Sequence, residues 1–376
     1  MKFRPLKILK AWEMTTIRKI LIINIFGIGD VLFTTPLISS LKAYSPRFSI
    51  GYLCNRRTAP LLERNPQIDK IFVYERDEWQ ELWRRSKFSY LKRLGQFIKE
   101  LRKERYEMVI DVSLNSFMSF LTWRAGIPQR IGFNYKNRSL FLTQEIPLEG
   151  YQEKHIVEYY QDILKRLDIP TDIKELQLEI GPEELTWREN FLKEKGIPAD
   201  KLLIGIVPGG GDSWGKEAIY KRWPVAQYAK LADKLIEKFP AEIILMGGRN
   251  ELGICSQTAQ LMRRRSFMAC GETTLPQFAS LAAYCGVVVL NDGGPLHLAV
   301  AARAKTVSIF GPVDDQIYGP YPKSEDHQVV KKDLACRPCY RQFRKASCEH
   351  ISCLNSIEVE DVFQKVETIL QRKSSK

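Results

Sequence analysis

Short β-branched apolar runs recur along the chain, and the segments between them keep apolar residues at helical spacing. Strand candidates fall at 19–26, 48–53, 70–74 and 106–112, then again at 202–207, 242–246, 286–291 and 305–310. Helices are expected at 224–238, 252–264, 275–284, 294–303 and 357–372. Strands alternating with helices give parallel sheets covered on both faces. Two such series in 376 residues give two domains. The expected organisation is α/β, with two Rossmann-like, doubly wound domains facing a central cleft. Its bounds are an N-terminal extension over 1–18, a first domain over 19–178, a linker over 179–200, a second domain over 201–355 and a C-terminal helix over 356–376. The linker carries a helical pattern that stops at Gly196 and Pro198.

The charge narrows the partners. The net charge is +13, and residues 1–180 hold most of the excess. Anionic partners follow as a class: nucleic acid, a phosphorylated glycolipid or an acidic membrane surface. The stretch "RRSKFSYLKRLGQFIKELRKER" (84–105) is strongly basic, with Leu91, Leu94, Phe97, Ile98 and Leu101 at helical spacing and Trp79 and Trp83 upstream. It reads as a surface helix packed on its sheet, or as a helix lying at an anionic membrane face. No apolar run approaches the length of a membrane span. The basic start of the chain lacks the apolar core of a signal peptide, so a cytoplasmic location is expected.

The first strand ends in "INIFGIGDVLF". Gly27 and Gly29 permit a tight turn, and Asp30 stands where a helix opens. In such sheets ligands bind beyond the carboxyl ends of the strands. The dinucleotide fingerprint lacks its third glycine, because Leu32 occupies that position. An acid there repels phosphate and suits a proton acceptor. Helix capping is the other reading of Asp30.

Three stretches in the second half point to an anion. "VPGGGDSWGKEAIYKRWP" (207–224) puts a glycine loop after a strand, with Lys221 and Arg222 before the next helix; it is not a Walker loop, since Glu217 follows Lys216. "ILMGGRNE" places Glu251 in a first helical turn, where it suits ribose hydroxyls or the helix dipole. "VVVLNDGGPLHLAVAA" ends a buried strand in Asp292, then sets Gly293, Gly294 and His297 at a helix start. Substituting Lys221 or His297 is expected to weaken diphosphate binding and to leave stability nearly unchanged. Cys336, Cys339, Cys348 and Cys353 form a late cluster, with His350 among them. They read as a structural metal knuckle or as reduced thiols in a packed loop.

Taken together, these stretches and "GETTLPQFASLAAYCGVVVLNDGGPLHLAVAARAKTVSIFGP" resemble glycosyltransferase family nine, the bacterial lipopolysaccharide heptosyltransferases. The resemblance implies a GT-B fold, with acceptor on the first domain and nucleotide sugar on the second. It implies inverting transfer from ADP-L-glycero-D-manno-heptose to a phosphorylated, membrane-held lipopolysaccharide core, with no catalytic metal and no cofactor. Asp30 matches the family's general base and Lys221 its phosphate-binding lysine. Asp292, Gly293, Gly294 and His297 match its nucleotide-diphosphate loop, and Glu251 its ribose-binding acid. Gly210, Gly211 and Ser213 join the donor-binding set. Gly29, Arg56 and Arg130 are the acceptor-binding candidates. Peripheral contact with the inner face of the inner membrane is expected, and nucleic acid is not. Two alternatives stand beside this reading. One is a GT-B transferase using another nucleotide sugar, such as a UDP-linked one; the other is a nucleotide-binding oxidoreductase or regulatory module.

Overall fold

The computed structural model describes residues 17–211 and 215–372, so nearly all of the expected N-terminal extension lies outside the described residues. The first sheet holds β1 (Lys19–Ile23), β2 (Ser49–Cys54), β3 (Lys70–Val73), β4 (Met108–Asp111), β5 (Gln129–Tyr135) and β6 (Gln144–Leu148). They lie in the order β3-β2-β1-β4-β5-β6, every pair parallel. The second sheet holds β7 (Leu202–Val207), β8 (Ala241–Leu245), β9 (Phe267–Met268), β10 (Val287–Asn291), β11 (Thr306–Ile309) and β12 (His327–Val330). Its order is β12-β11-β10-β7-β8-β9, again wholly parallel. Both are doubly wound sheets whose strand order reverses between the first and fourth strands. The reversals fall at β1/β4 and at β7/β10. A short antiparallel hairpin, β13 (Tyr340–Arg341) with β14 (Arg344–Lys345), follows.

Central strands are mostly apolar because both faces are covered by helices. Every residue of β10 is buried, as are Ile20 to Ile23 of β1. The strands that escape the apolar pattern are β5, β6, β9 and β12. β6 carries Gln144, Glu145 and Pro147, and β12 carries His327 and Gln328, as suits edge strands with partly wet surfaces. β9 is only two residues long, too short for any periodicity.

The chain divides into two units. The first runs to Tyr151 and takes back Ile156–Lys174; the second holds Gln152–His155 and the chain from Glu175. The stretch expected as a linker is thus part of the second unit. Its helix Pro182–Glu194 packs on the helix Leu275–Tyr284, and Ser280 Oγ donates to Glu184 O at 3.1 Å. The final helix, Val359–Gln371, is likewise core, contributing Val362, Phe363, Val366 and Ile369. The basic stretch 84–105 is not one helix. Arg76–Arg85 and Lys87–Glu104 meet at Ser86, whose side chain caps the second by accepting from Ser89 N at 3.2 Å.

Candidate functional site

In the first unit the chain leaves β1 and turns into the helix Ile28–Phe33. Two asparagines build the turn. Asn24 Nδ2 donates to Asp30 O at 2.9 Å, while its Oδ1 accepts from Phe26 N at 3.1 Å. Asn55, just past β2, donates to Ile25 O and Phe26 O. Asp30 is not the N-cap residue. It sits one turn in and reaches back, Oδ2 accepting the Gly27 N–H at 3.2 Å. The carboxylate is therefore oriented and only half-buried. Behind it lie the buried phenols Tyr52, Tyr151 and Tyr160. Burial raises all three, and the nearby Asp30 charge adds to each. Thr34 Oγ1 and Tyr52 Oη share a 2.6 Å hydrogen bond.

The sequence reading passed over a second acid at this edge. Asp111 ends β4, next to β1 in register with Ile23. It is buried, with Oδ1 accepting from Ser113 N at 2.9 Å and Ser113 Oγ at 2.6 Å. Burial raises its pKa to about 6 despite those bonds. Its hydrogen bonds are local, as in an Asx turn, which makes it a loop former rather than a second proton acceptor.

The second unit gathers three glycine loops at the carboxyl ends of β7, β8 and β10, which are neighbours in the sheet. Gly210 and Gly211 hold φ at +79° and +87°, a backbone that side chains disfavour. A Cβ on Gly293 would lie 1.9 Å from Gly210 O, so the first and third loops touch backbone to backbone. Buried Asn291 fastens them further, donating to Pro208 O at 2.8 Å and accepting from Trp223 N at 2.9 Å. Arg222 Nε donates to Gly209 O at 2.7 Å. The loops are thereby held together at the start of the helix Gly294–Ala301, whose first-turn N–H groups make a candidate anion site.

Glu251, expected as a ribose acid, also joins the loops. It is 2% exposed, and its two carboxylate oxygens accept from Gly211 N at 2.8 Å and Gly248 N at 2.7 Å. It latches two of the loops together. Lys221 pairs with Asp292 at 2.6 Å, with side chains 12% and 4% exposed. His297, in the first turn of the helix, is buried, and burial holds its pKa well below the ordinary value. His155 and Lys221 push it the same way. His155 was not foreseen. It stacks on Tyr321 at 4.4 Å, shares a 3.1 Å bond with Gly319 O, and is lowered to about 4 by burial. Both imidazoles are neutral near pH 7, so either could meet an anion only as a hydrogen-bond donor and not as a cation.

The remaining candidates scatter. Gly29 lies in the first turn beside Asp30. Arg56 follows β2 at the same strand edge, paired with Glu78 at 2.7 Å. Arg130 is not brought there. It stands at the amino end of β5, and its guanidinium is spent on the carbonyls of Phe141, Ile127 and Pro128. Ser213 lies outside the described residues.

Cys336, Cys339, Cys348 and Cys353 surround the hairpin β13–β14. Burial first, then the other three cysteines, raise the Cys353 thiol to about 11, so the four are neighbours. Among the described residues, however, no group of three or more His, Cys, Asp or Glu side chains could hold a metal ion. Elemental analysis of freshly purified, reduced protein is expected to find far less than about one zinc per chain, the content a closed four-ligand site requires. A stoichiometric metal content would instead establish a knuckle.

Known proteins share this architecture. Residues 94–350, more than half of the chain, match the family described as Glycosyltransferase family 9 (heptosyltransferase). Lipooligosaccharide heptosyltransferase 2 of Campylobacter jejuni subsp. jejuni serotype O:2 is 28% identical over 226 residues. That match covers 59% of this chain and 66% of the relative, slightly under two thirds of its length. Lipopolysaccharide heptosyltransferase 2 of Escherichia coli (strain K12) is 28% identical over 309 residues, covering 78% of this chain and 83% of the relative. The solved structure of E. coli ADP-heptose lps heptosyltransferase II aligns with a TM-score of 0.73 and 24% identity, over 94% of this chain and 98% of that one, which is a likeness of fold. The chain belongs to glycosyltransferase family 9, the heptosyltransferases, and its two doubly wound sheets are those of the GT-B fold.

Proposed function

We propose that this protein transfers a heptose from ADP-L-glycero-D-manno-heptose to a lipopolysaccharide core acceptor, with inversion at the anomeric carbon. The observation that carries the reading is Asp30: an oriented, half-buried carboxylate at the carboxyl end of β1, where this sheet class binds its ligands. The acceptor hydroxyl gives its proton to Asp30 as its oxygen attacks the anomeric carbon. The bond from that carbon to the diphosphate oxygen breaks, and ADP leaves with the electron pair. Attack from the face opposite the leaving group inverts the centre. The growing charge on the diphosphate falls to the second unit. There Lys221, the loop N–H groups, the helix start at Gly294 and the His297 side chain are the candidate partners.

ADP-heptose is the donor named for the E. coli protein of the same fold. The acceptor side is assigned to the first unit, with Gly29 next to Asp30, Arg56 at the end of the neighbouring strand, and the lipid-linked core reached from a cytoplasmic, membrane-peripheral position. No helix among the described residues is long and apolar enough to cross a membrane.

A thermal-shift panel of nucleotide sugars tests the donor. ADP and ADP-heptose are expected to raise the melting temperature, and UDP-sugars and NAD to leave it unmoved. Protection by a UDP-sugar without protection by ADP would transfer the chemistry to another donor, and protection by NAD alone would end the transferase reading.

A further inference from the structure

We propose that the tip of the helical hairpin Arg76–Arg85/Lys87–Glu104 is a docking surface for an anionic phospholipid bilayer. The inward side of the hairpin is ordinary core. Trp79 and Phe97 are buried, and Leu101 has no exposure at all. The outward tip is different. Trp83, Phe88 and Leu91 are 47%, 78% and 59% exposed, although all three are large and apolar. Trp83 comes three residues before Ser86, where the chain reverses, and Phe88 two after it. Phe88 and Leu91 then share one face of the second helix, three residues apart. Lys87 lies over the Trp83 ring at 5.5 Å, and Tyr90 meets that ring edge-on at 5.0 Å, so the indole is held outward rather than loose.

The cations around this tip are exposed: Arg84, Lys87, Lys92 and Arg85, the last lying 3.5 Å from the exposed Glu81. The acid at its base, Glu78, is already neutralised by Arg56 at 2.7 Å and Arg93 at 3.3 Å. Apolar side chains projecting through a ring of cations match the interfacial layer of a bilayer, where rings and aliphatic tips enter below the headgroups and cations meet the phosphates. A water-soluble anion would have no use for the three apolar residues, and a neutral protein partner none for the cations.

Placement in the fold gives the surface a purpose. The first helix leaves the carboxyl end of β3, and its Glu78 pairs with Arg56, which follows the carboxyl end of β2. The tip is therefore on the strand-end edge of the sheet that also carries Asp30. A bilayer seated there would bring a lipid-anchored hydroxyl compound to that edge, and in this respect the inference rests on the function proposed above.

Co-sedimentation of the full chain with phosphatidylcholine vesicles, with and without phosphatidylglycerol, tests it. Binding is expected only with the anionic lipid, and raised salt should release it. The variant W83S/F88S/L91S and the variant R84E/R85E/K92E should each weaken binding by about tenfold or more. Arg93 is left unaltered because it packs over Trp79 at 5.0 Å. Both variants should keep the wild-type melting curve and near-ultraviolet circular dichroism, which shows that the unit carrying the hairpin is folded. Wild-type protein that ignores anionic vesicles at low salt overturns the proposal, as does a folded apolar-tip variant that binds them fully. A dimer lost in the variants, without vesicle binding, would make the tip a contact between copies. Because the assay contains neither donor nor acceptor, vesicle binding without heptosyl transfer would sink the proposed function and leave this surface standing.

Discussion

Replacing Asp30 with Asn is expected to lower turnover by about 10²-fold or more, while the melting temperature and ADP affinity stay near the wild-type values. The geometry separates the two roles of this side chain. As a structural group, Asp30 accepts the Gly27 N–H at 3.2 Å. The Asn side chain has a carbonyl oxygen that can accept the same bond, so the turn and the helix Ile28–Phe33 should persist. As a proton acceptor the amide is useless, because it has no basic oxygen. Asp30→Ala makes the complementary control. It removes the helix contact as well and should cost about 1 kcal/mol of stability in addition to the turnover. An Asn variant with nearly full turnover would leave Asp30 with the helix contact alone.

The parts of the fold that were legible are those where burial is complete. β1, β7, β10 and β11 are buried along nearly their whole length and mostly apolar because helices cover both faces, and such runs are visible without any partner. β5, β6 and β12 were not visible, because a partly wet strand mixes Arg130, Asn134, Glu145 or Gln328 into its pattern. The site divides in the same way. Glycine loops at strand ends announce themselves, since only glycine tolerates the turns at Gly210 and Gly211 and the close approach at Gly293. The roles of polar side chains around them do not. Glu251 has the residue type and spacing of a ribose acid, yet its carboxylate is turned to Gly211 N and Gly248 N. Arg130 has the charge for a phosphorylated acceptor, yet it is bound to carbonyls at the wrong end of its strand. Asn24 and Asn55 hold the turn after β1 and Asn291 joins the loops of the second unit, and nothing in their local sequence distinguishes them from loop asparagines. The partners of Asn55 and Asn291 are far away in the chain, so only the assembled sheet reveals them, while Asn24 bonds within its own turn.

Lys221→Ala is expected to be costly in two separable ways, which revises the view of Lys221 as a solvated cation whose loss the fold would not notice. Its ammonium lies 2.6 Å from Asp292 Oδ2, and both side chains are largely shielded from water. Deleting one member of a buried pair strands the other charge, and losses of this kind are about 3 kcal/mol or more. In a unit of this size that is a fall in melting temperature on the order of 6 °C. The second loss is affinity for ADP, since the proposed mechanism gives Lys221 to the diphosphate. The double variant K221A/D292N distinguishes the two. It removes both charges, so most of the stability should return while ADP binding stays weak. Calorimetry and melting curves on the wild type, both single variants and the double variant measure the coupling directly. If K221A melts like the wild type, the ion pair carries no stability; if it also binds ADP like the wild type, Lys221 leaves the donor site. His297→Ala supplies the contrast. The imidazole is already neutral through burial, so its removal strands no charge. It should weaken ADP binding through the lost hydrogen bond, with a stability loss that reflects only the cavity left in the helix.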